Sequence, residues 1–270
     1  MPGLGLTLGL TGVYLTLIVL LPVAALLLKT FSLSAGEFLA VISSPRALAS
    51  FRITFSAALF ATLFNGAVGL LLVWILVRYR FPGRRLLDAL VDLPFALPTA
   101  VAGIALTALF SRNGWLGQLL EPMGIKIAYA APGVMLAMAF TSLPFVVRTM
   151  QPVLQDIEEE MEEAGRLLGA SDFAIFRKII LPAIFPAFLA GCTLAFARSL
   201  GEFGAVVFIA GNLPMETEIV ALLIFIRLEE YNYQAAAAFA SVLLAAAFVL
   251  MLTTNALQLW QLRYANKDNG

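Results

Sequence analysis

Arg198 and Glu202 stand four residues apart inside Phe196-Ala197-Arg198-Ser199-Leu200-Gly201-Glu202-Phe203-Gly204-Ala205, a stretch that is otherwise apolar or small. On insertion scales a charge at the centre of a bilayer costs about 2.5–3.5 kcal/mol, so it faces a partner or a water-filled path. The i,i+4 spacing puts both on one helical face, which allows two readings. In one, the two charges only neutralise each other inside a bundle. In the other, Arg198 lends positive potential to an anion path while Glu202 orients it or holds a neighbouring helix. Ser199, Gly201 and Gly204 complete this candidate path or gate, the glycines because small residues let helices approach closely.

Two further segments bend helices. In Asp92-Leu93-Pro94-Phe95-Ala96-Leu97-Pro98-Thr99-Ala100, Pro94 and Pro98 remove two helix donors and leave carbonyls free, which predicts a bend with exposed backbone polarity beside Thr99. Thr141-Ser142-Leu143-Pro144 repeats the device, and Ser142 joins the candidate path. Hydroxyls on kinked helices also bond back to carbonyls, so packing is the competing reading.

A polar island separates two apolar runs. From Ile157, the residues Met161, Ala164 and Leu168 recur at helical spacing, and Glu158, Glu159, Glu162 and Glu163 occupy the other faces. This predicts an amphipathic helix at the membrane surface. Gly169 can close it in the left-handed conformation, Ser171 or Asp172 can cap the next turn, and Phe173 to Leu181 leads into the following span. The competing reading of such a charge run is a solvated acidic loop.

The elements that carry these residues follow from composition. The 270-residue chain is 61% hydrophobic and 13% charged, with mean hydropathy +0.94, against roughly 45–50% apolar residues in soluble domains. This is an integral membrane protein, all-α, predicted as a polytopic bundle of about six spans. They run over about 8–28, 55–77, 86–110, 132–147, 179–210 and 235–257, each near the ~20 residues that cross a hydrocarbon core of about 30 Å. The fifth is overlong, and Pro182, Pro186, Gly201 and Gly204 predict a kink within it. Residues 219–226 read as a short external or re-entrant helix. The first run lacks a basic flank and a cleavage site, so it is expected to be a retained helix. No repeat or linker divides the chain, and one helical membrane domain over 1–270 is expected, with a cytoplasmic segment at 150–178.

Arg78, Arg80, Arg84 and Arg85 crowd one loop, and Arg148, Arg166, Arg177 and Lys178 bracket another. The positive-inside rule makes both cytoplasmic, and six crossings then put both termini on the same side, in agreement with Arg263 and Lys267. Zero net charge and no cationic run exclude a nucleic-acid surface. The absence of histidine excludes His-based catalysis and His-ligated metal, and Cys192 alone builds no intrachain disulfide framework.

The Glu-Ala-small, three residues, Gly, nine residues, Ile-x-Leu-Pro arrangement at Glu163, Ala164, Gly165, Gly169, Ile179, Leu181 and Pro182 resembles the coupling motif of permease subunits of ABC importers. Gly165 replaces the usual second alanine. In that family the motif forms a helix seated in a cleft of the ATP-hydrolysing subunit, which implies that Glu163, Ala164 and Gly169 make that contact. This chain has no G-x-x-x-x-G-K-[ST] loop, so the ATPase is expected to be a separate polypeptide. The segments Arg78–Arg84, Leu86–Gly103, Pro144–Thr149 and Ser199–Asn212 narrow the likeness to sulfate/thiosulfate permeases of the T type, over roughly residues 50–260. The resemblance implies a bacterial inner-membrane importer with a W-type second permease, two ATPase subunits and an external binding protein. It further implies that no cofactor is bound by this chain, ATP and Mg being used by the ATPase. A molybdate or tungstate permease shares the Gly-Glu-Phe-Gly-Ala core, and an ATPase-independent channel or membrane sensor is the alternative of another class.

Overall fold

The computed structural model describes residues 3–267, and among these the regular structure is helical throughout. Residues 1–2 and 268–270 of the expected domain lie outside the described residues. Five helices are long and apolar enough to cross a membrane: α1 (Leu4–Phe31), α3 (Pro45–Arg78), α6 (Ala131–Gln155), α8 (Asp172–Leu200) and α11 (Tyr233–Lys267, apolar over Tyr233–Gln258). Shorter helices fill the intervals: α2 (Ala35–Ile42), α4 (Arg84–Val91), α5 (Thr99–Phe110), α7 (Glu159–Leu167), α9 (Gly204–Ile209) and α10 (Val220–Glu229).

The expected third span, 86–110, is therefore not one helix. Its first part is α4, followed by a single turn, Leu93–Ala96, and then by α5. Pro98 has no N–H and drives Leu97 out of the helical region, to φ −90° and ψ 134°. Pro98 then stands at the N-cap of α5, where its missing donor costs nothing. The expected fifth span, 179–210, is also two pieces. Helix α8 starts earlier, at Asp172, passes through a π turn at Phe176–Ile180 and stops at Leu200, and the chain resumes as α9. Residues 220–226 fall within α10 and Ile219 is its N-cap; Val220 and Leu223 are buried with Ala47, Ala235 and Phe239.

Helices α3, α6 and α8 form the centre. Small residues make this possible: a Cβ on Gly69 would lie 2.8 Å from Val146 Cγ1, and one on Gly191 would lie 3.0 Å from the Val146 Cα. Val146 is thus gripped between the backbones of α3 and α8. Helix α1 contributes no buried residue and runs along α11. The N-terminus of α2 carries a capping box in which Ser34 N–H donates to Glu37 Oε2 at 2.8 Å. The Ser34 hydroxyl and amide together hold the Glu37 carboxyl below its ordinary range.

Candidate coupling surface and membrane gate

The polar island folds as a helix, a tight turn and a second helix. Gly169 adopts φ +82°, a conformation that L side chains resist, and closes α7. Its N–H donates to Arg166 O at 2.9 Å, and Ala170 N–H donates to Gly165 O at 3.0 Å, which is the paired bonding of a Schellman turn. Ser171 Oγ accepts from Ala174 N at 3.3 Å and opens α8. Both turn residues expected from the sequence take these roles.

The faces of α7 are amphipathic as expected. Met161, Leu167, Leu168 and Phe173 are 52%, 89%, 89% and 71% exposed, so the apolar stripe points away from the body of the protein. Glu162 points inward and is buried. Its Oε1 accepts from Arg78 Nη2 at the end of α3, and its Oε2 lies 3.5 Å from Arg166 Nη2. Glu163, Ala164 and Gly169 are exposed beside the stripe. Gly165 sits on the inner side, where a Cβ would come within 3.2 Å of Ile175 and 3.4 Å of Ile179. Its smallness thus lets α7 lie close against α8. Ile179 and Leu181 are half-buried and Pro182 is exposed on α8. An exposed apolar stripe on a rigid, capped, ion-paired helix is suited to a protein partner rather than to water.

A second set of ion pairs, which sequence reading used only for orientation, holds the neighbouring surface helix. Arg148 on α6 donates from Nε to Asp92 Oδ1 and from Nη2 to Asp92 Oδ2, both at 2.7 Å. It also donates from Nη1 to Asp88 Oδ1 at 2.6 Å and from Nη2 to the Asp88 carbonyl at 2.8 Å. This fork fixes α4 and the start of the Pro94 turn against α6. Phe95 packs edge-on to Phe145 at 5.2 Å, so the broken segment has a defined seat.

Within the membrane region, Arg198 and Glu202 form the expected ion pair, Nη1 to Oε2 at 2.7 Å. Arg198 keeps 31% of its side chain exposed while Glu202 keeps 1%. The other carboxylate oxygen accepts from Ala205 N at 2.9 Å, so Glu202 also caps the first turn of α9. Neutralisation and positioning of a neighbouring helix are thus combined in one residue.

The two broken helices meet here. A Cβ on Gly204 would collide with Thr99 Oγ1, and one on Gly103 would lie 2.8 Å from Ala205 Cα, so α5 and α9 cross with their backbones in contact. Gly201 has no such role: its nearest outside atom is the Arg198 carbonyl, 3.9 Å from where a Cβ would sit. Pro94 and Pro98 flank the break, Pro94 half-buried and Pro98 exposed. Ser142 and Ser199 are completely buried rather than facing a path. Asn65 Nδ2 donates to Ser142 Oγ and to Ala139 O, each at 2.9 Å, and Ser199 Oγ donates to Ser142 Oγ at 3.2 Å, tying α3, α6 and α8 together. Sequence reading missed Asn65, whose partners lie more than seventy residues away. It also missed the bidentate pair from Arg46 Nε and Nη2 to buried Glu218, at 2.8 and 2.6 Å, with Ser50 donating to the same carboxylate at 3.4 Å. Among the described residues no cluster of His, Cys, Asp and Glu is arranged to hold a metal ion.

Five membrane-length helices, two spans broken into shorter pieces and a capped surface helix define a multi-pass helical membrane protein. The model for binding-protein-dependent transport system inner membrane components matches residues 66–264, and the chain belongs to that family. It is 53% identical over 258 residues to the sulfate transport system permease protein CysT of Salmonella typhimurium, covering 96% of this chain and 93% of that protein. It is 49% identical over 256 residues to the protein of the same name in Synechocystis, covering 95% and 90%. Among solved structures, a bacterial ABC transporter involved in import of the acidic polysaccharide alginate superposes with TM-score 0.78 at 16% identity over 94% of both chains. An inward-facing MetNI methionine ABC transporter superposes with TM-score 0.61 at 17% identity, covering 80% of this chain and 96% of that one. At these identities the solved structures establish the ABC importer permease fold alone.

Proposed function

We propose that this chain is one permease subunit of an ATP-driven importer that carries sulfate, and with it thiosulfate, across a bacterial inner membrane. The observation that carries the substrate is the 53% identity, along 96% of the chain, to a sulfate transport system permease. The remaining parts are a W-type second permease, two ATPase subunits that use ATP and Mg, and an external sulfate-binding protein. Both termini lie in the cytoplasm. This chain binds no cofactor and catalyses no reaction.

The geometry supports a mechanical route. The exposed face of α7, with Glu163, Ala164 and Gly169 at its edge, seats in the ATPase. Because α7 is joined to α8 through the Gly169 turn and to α3 through Arg78–Glu162, a displacement at the docking face moves two central helices as one body. Closure of the ATPases draws the paired levers together and alters the α5–α9 crossing, and hydrolysis resets it. Arg198, a third exposed, gives the anion a transient electrostatic contact, while Glu202 keeps the site near neutrality so that the anion is released. High affinity belongs to the binding protein.

The test is ATP-dependent uptake of radiolabelled sulfate into proteoliposomes holding the four kinds of subunit. Uptake blocked by thiosulfate, spared by molybdate and abolished by Gly169→Asp supports the proposal. Molybdate uptake, or sulfate flux indifferent to ATP, overturns it.

A further inference from the structure

A groove of about 610 Å³ lies between the end of α3, the end of α6 and α7, and of its lining only Glu163 also belongs to the proposed coupling contact. Arg78, Arg80 and Arg166 line it together with Trp74, Glu162 and Glu163. Three guanidinium groups therefore converge on one concave surface against two carboxylates. Glu162 is already engaged, accepting from Arg78 through one oxygen and facing Arg166 through the other, and Arg166 Nε also faces Asp172 Oδ1 at 3.4 Å, which leaves its Nη1 as the spare donor. Arg78 Nε is buried and has no hydrogen-bond acceptor, although a buried donor left unpaired costs about 1–3 kcal/mol. The Arg78 guanidinium lies 5.6 Å from the centre of the Trp74 ring, which fixes its plane. Arg80 is exposed at the rim, and among the described residues no hydrogen bond engages its side chain.

Planar guanidinium forks that converge with spare donors match the oxygens of a tetrahedral oxyanion, and two or three such contacts give charge-assisted hydrogen bonds. We propose that this groove binds a tetrahedral oxyanion through Arg78, Arg80 and Arg166. The ligand is either free sulfate or the phosphate of a lipid headgroup, since both present the same chemistry at a membrane edge. The side of the membrane on which it binds rests on the orientation proposed above. Such an anion competes with Glu162 for Arg78 and Arg166. Its arrival therefore loosens the contact that joins α7 to α3, and the site regulates the lever rather than the substrate path. Glu163 opposes the anion from the opposite wall.

The full-length chain in nanodiscs tests this without reference to transport. In zwitterionic lipid, sodium sulfate is titrated against sodium chloride at equal ionic strength, and the melting temperature is followed. A second arm omits sulfate and replaces part of the lipid with phosphatidylglycerol. The proposal predicts a rise in melting temperature in at least one arm, and the responding arm identifies the source. In Arg80→Gln and Arg166→Gln the apparent affinity falls by about tenfold or more, the loss expected for a charge-assisted hydrogen bond. Glu163→Gln tightens binding. Four results overturn the proposal: an equal response to chloride, no response in either arm, retention in both groove variants, or abolition by Arg198→Gln, which assigns binding to the membrane gate. None of these outcomes bears on sulfate uptake, so failure here and failure of the importer reading are separable.

Discussion

The proposed coupling lever and the proposed gate both depend on glycine, but they are held by opposite means. In the lever, Gly169 supplies a left-handed turn, and long charged side chains, Arg78 to Glu162 and Arg148 to Asp88 and Asp92, fasten the surface helices to α3 and α6. In the gate, Gly103 and Gly204 supply nothing but absence of a side chain, and the backbones of α5 and α9 touch directly. The difference follows from solvent. At the membrane edge, water reaches the half-exposed Arg148 pairs, so that charged joint can open and reform at little cost, while Arg78–Glu162 is the buried and firmer one. In the apolar interior, separating charges is expensive, and contacts that slide are made of small residues. Arg198–Glu202 is the exception, a charged joint inside the gate region, with its carboxylate buried and tied to the start of α9.

The sharpest way to break this contrast is to give the gate a side chain. Gly103→Val drives a branched group into the backbone of Ala205 and is expected to cost about 3 kcal/mol or more, read as loss of folded protein on size exclusion and a fall in melting temperature. Next comes the charged joint. Arg198→Met leaves Glu202 buried without its cation, expected at about 2 kcal/mol. That is below the 3–5 kcal/mol of a fully buried pair because Arg198 is 31% exposed. Adding Glu202→Gln restores most of the stability but not the uptake, which a double-mutant cycle on melting temperature and flux separates. At the lever, Gly169→Val forces a branched residue to φ +82° and is expected to cost about 1–2 kcal/mol while abolishing uptake. Smallest is Glu162→Gln, expected at about 1 kcal/mol, with sulfate carried per ATP hydrolysed reduced several-fold because α7 is no longer fastened to α3.

What the sequence made legible divides along the same line. The lever is local: a 3.6-residue apolar period, a glycine and a serine three residues from the amide it caps lie within fifteen residues of one another. Its turn geometry could therefore be read directly. Which way α7 faced could not, because an apolar stripe looks the same whether it is buried or awaits a partner, and the buried residue proved to be Glu162. Pro94 and Pro98 announced a bend, and Pro98 moves Leu97 out of the helical region, but nothing local showed that the broken turn would seat Phe95 against Phe145. The overlong fifth span announced trouble at Gly201 and Gly204, and only Gly204 makes a close approach. Asn65–Ser142–Ser199 and Arg46–Glu218 join residues distant in the chain, and no period or spacing signals a partner beyond the reach of one helix.

If the exposed apolar face of α7 is the contact through which ATP hydrolysis drives the bundle, its loss must uncouple the two. The direct measurement is sulfate-stimulated ATP hydrolysis, alongside uptake, by the reconstituted complex carrying Leu167→Asp and Leu168→Asp. Both side chains are 89% exposed, so an unchanged melting temperature for this chain is expected, with loss of both stimulated hydrolysis and uptake. Stimulation and uptake retained at the level of the unaltered complex contradict that role of α7.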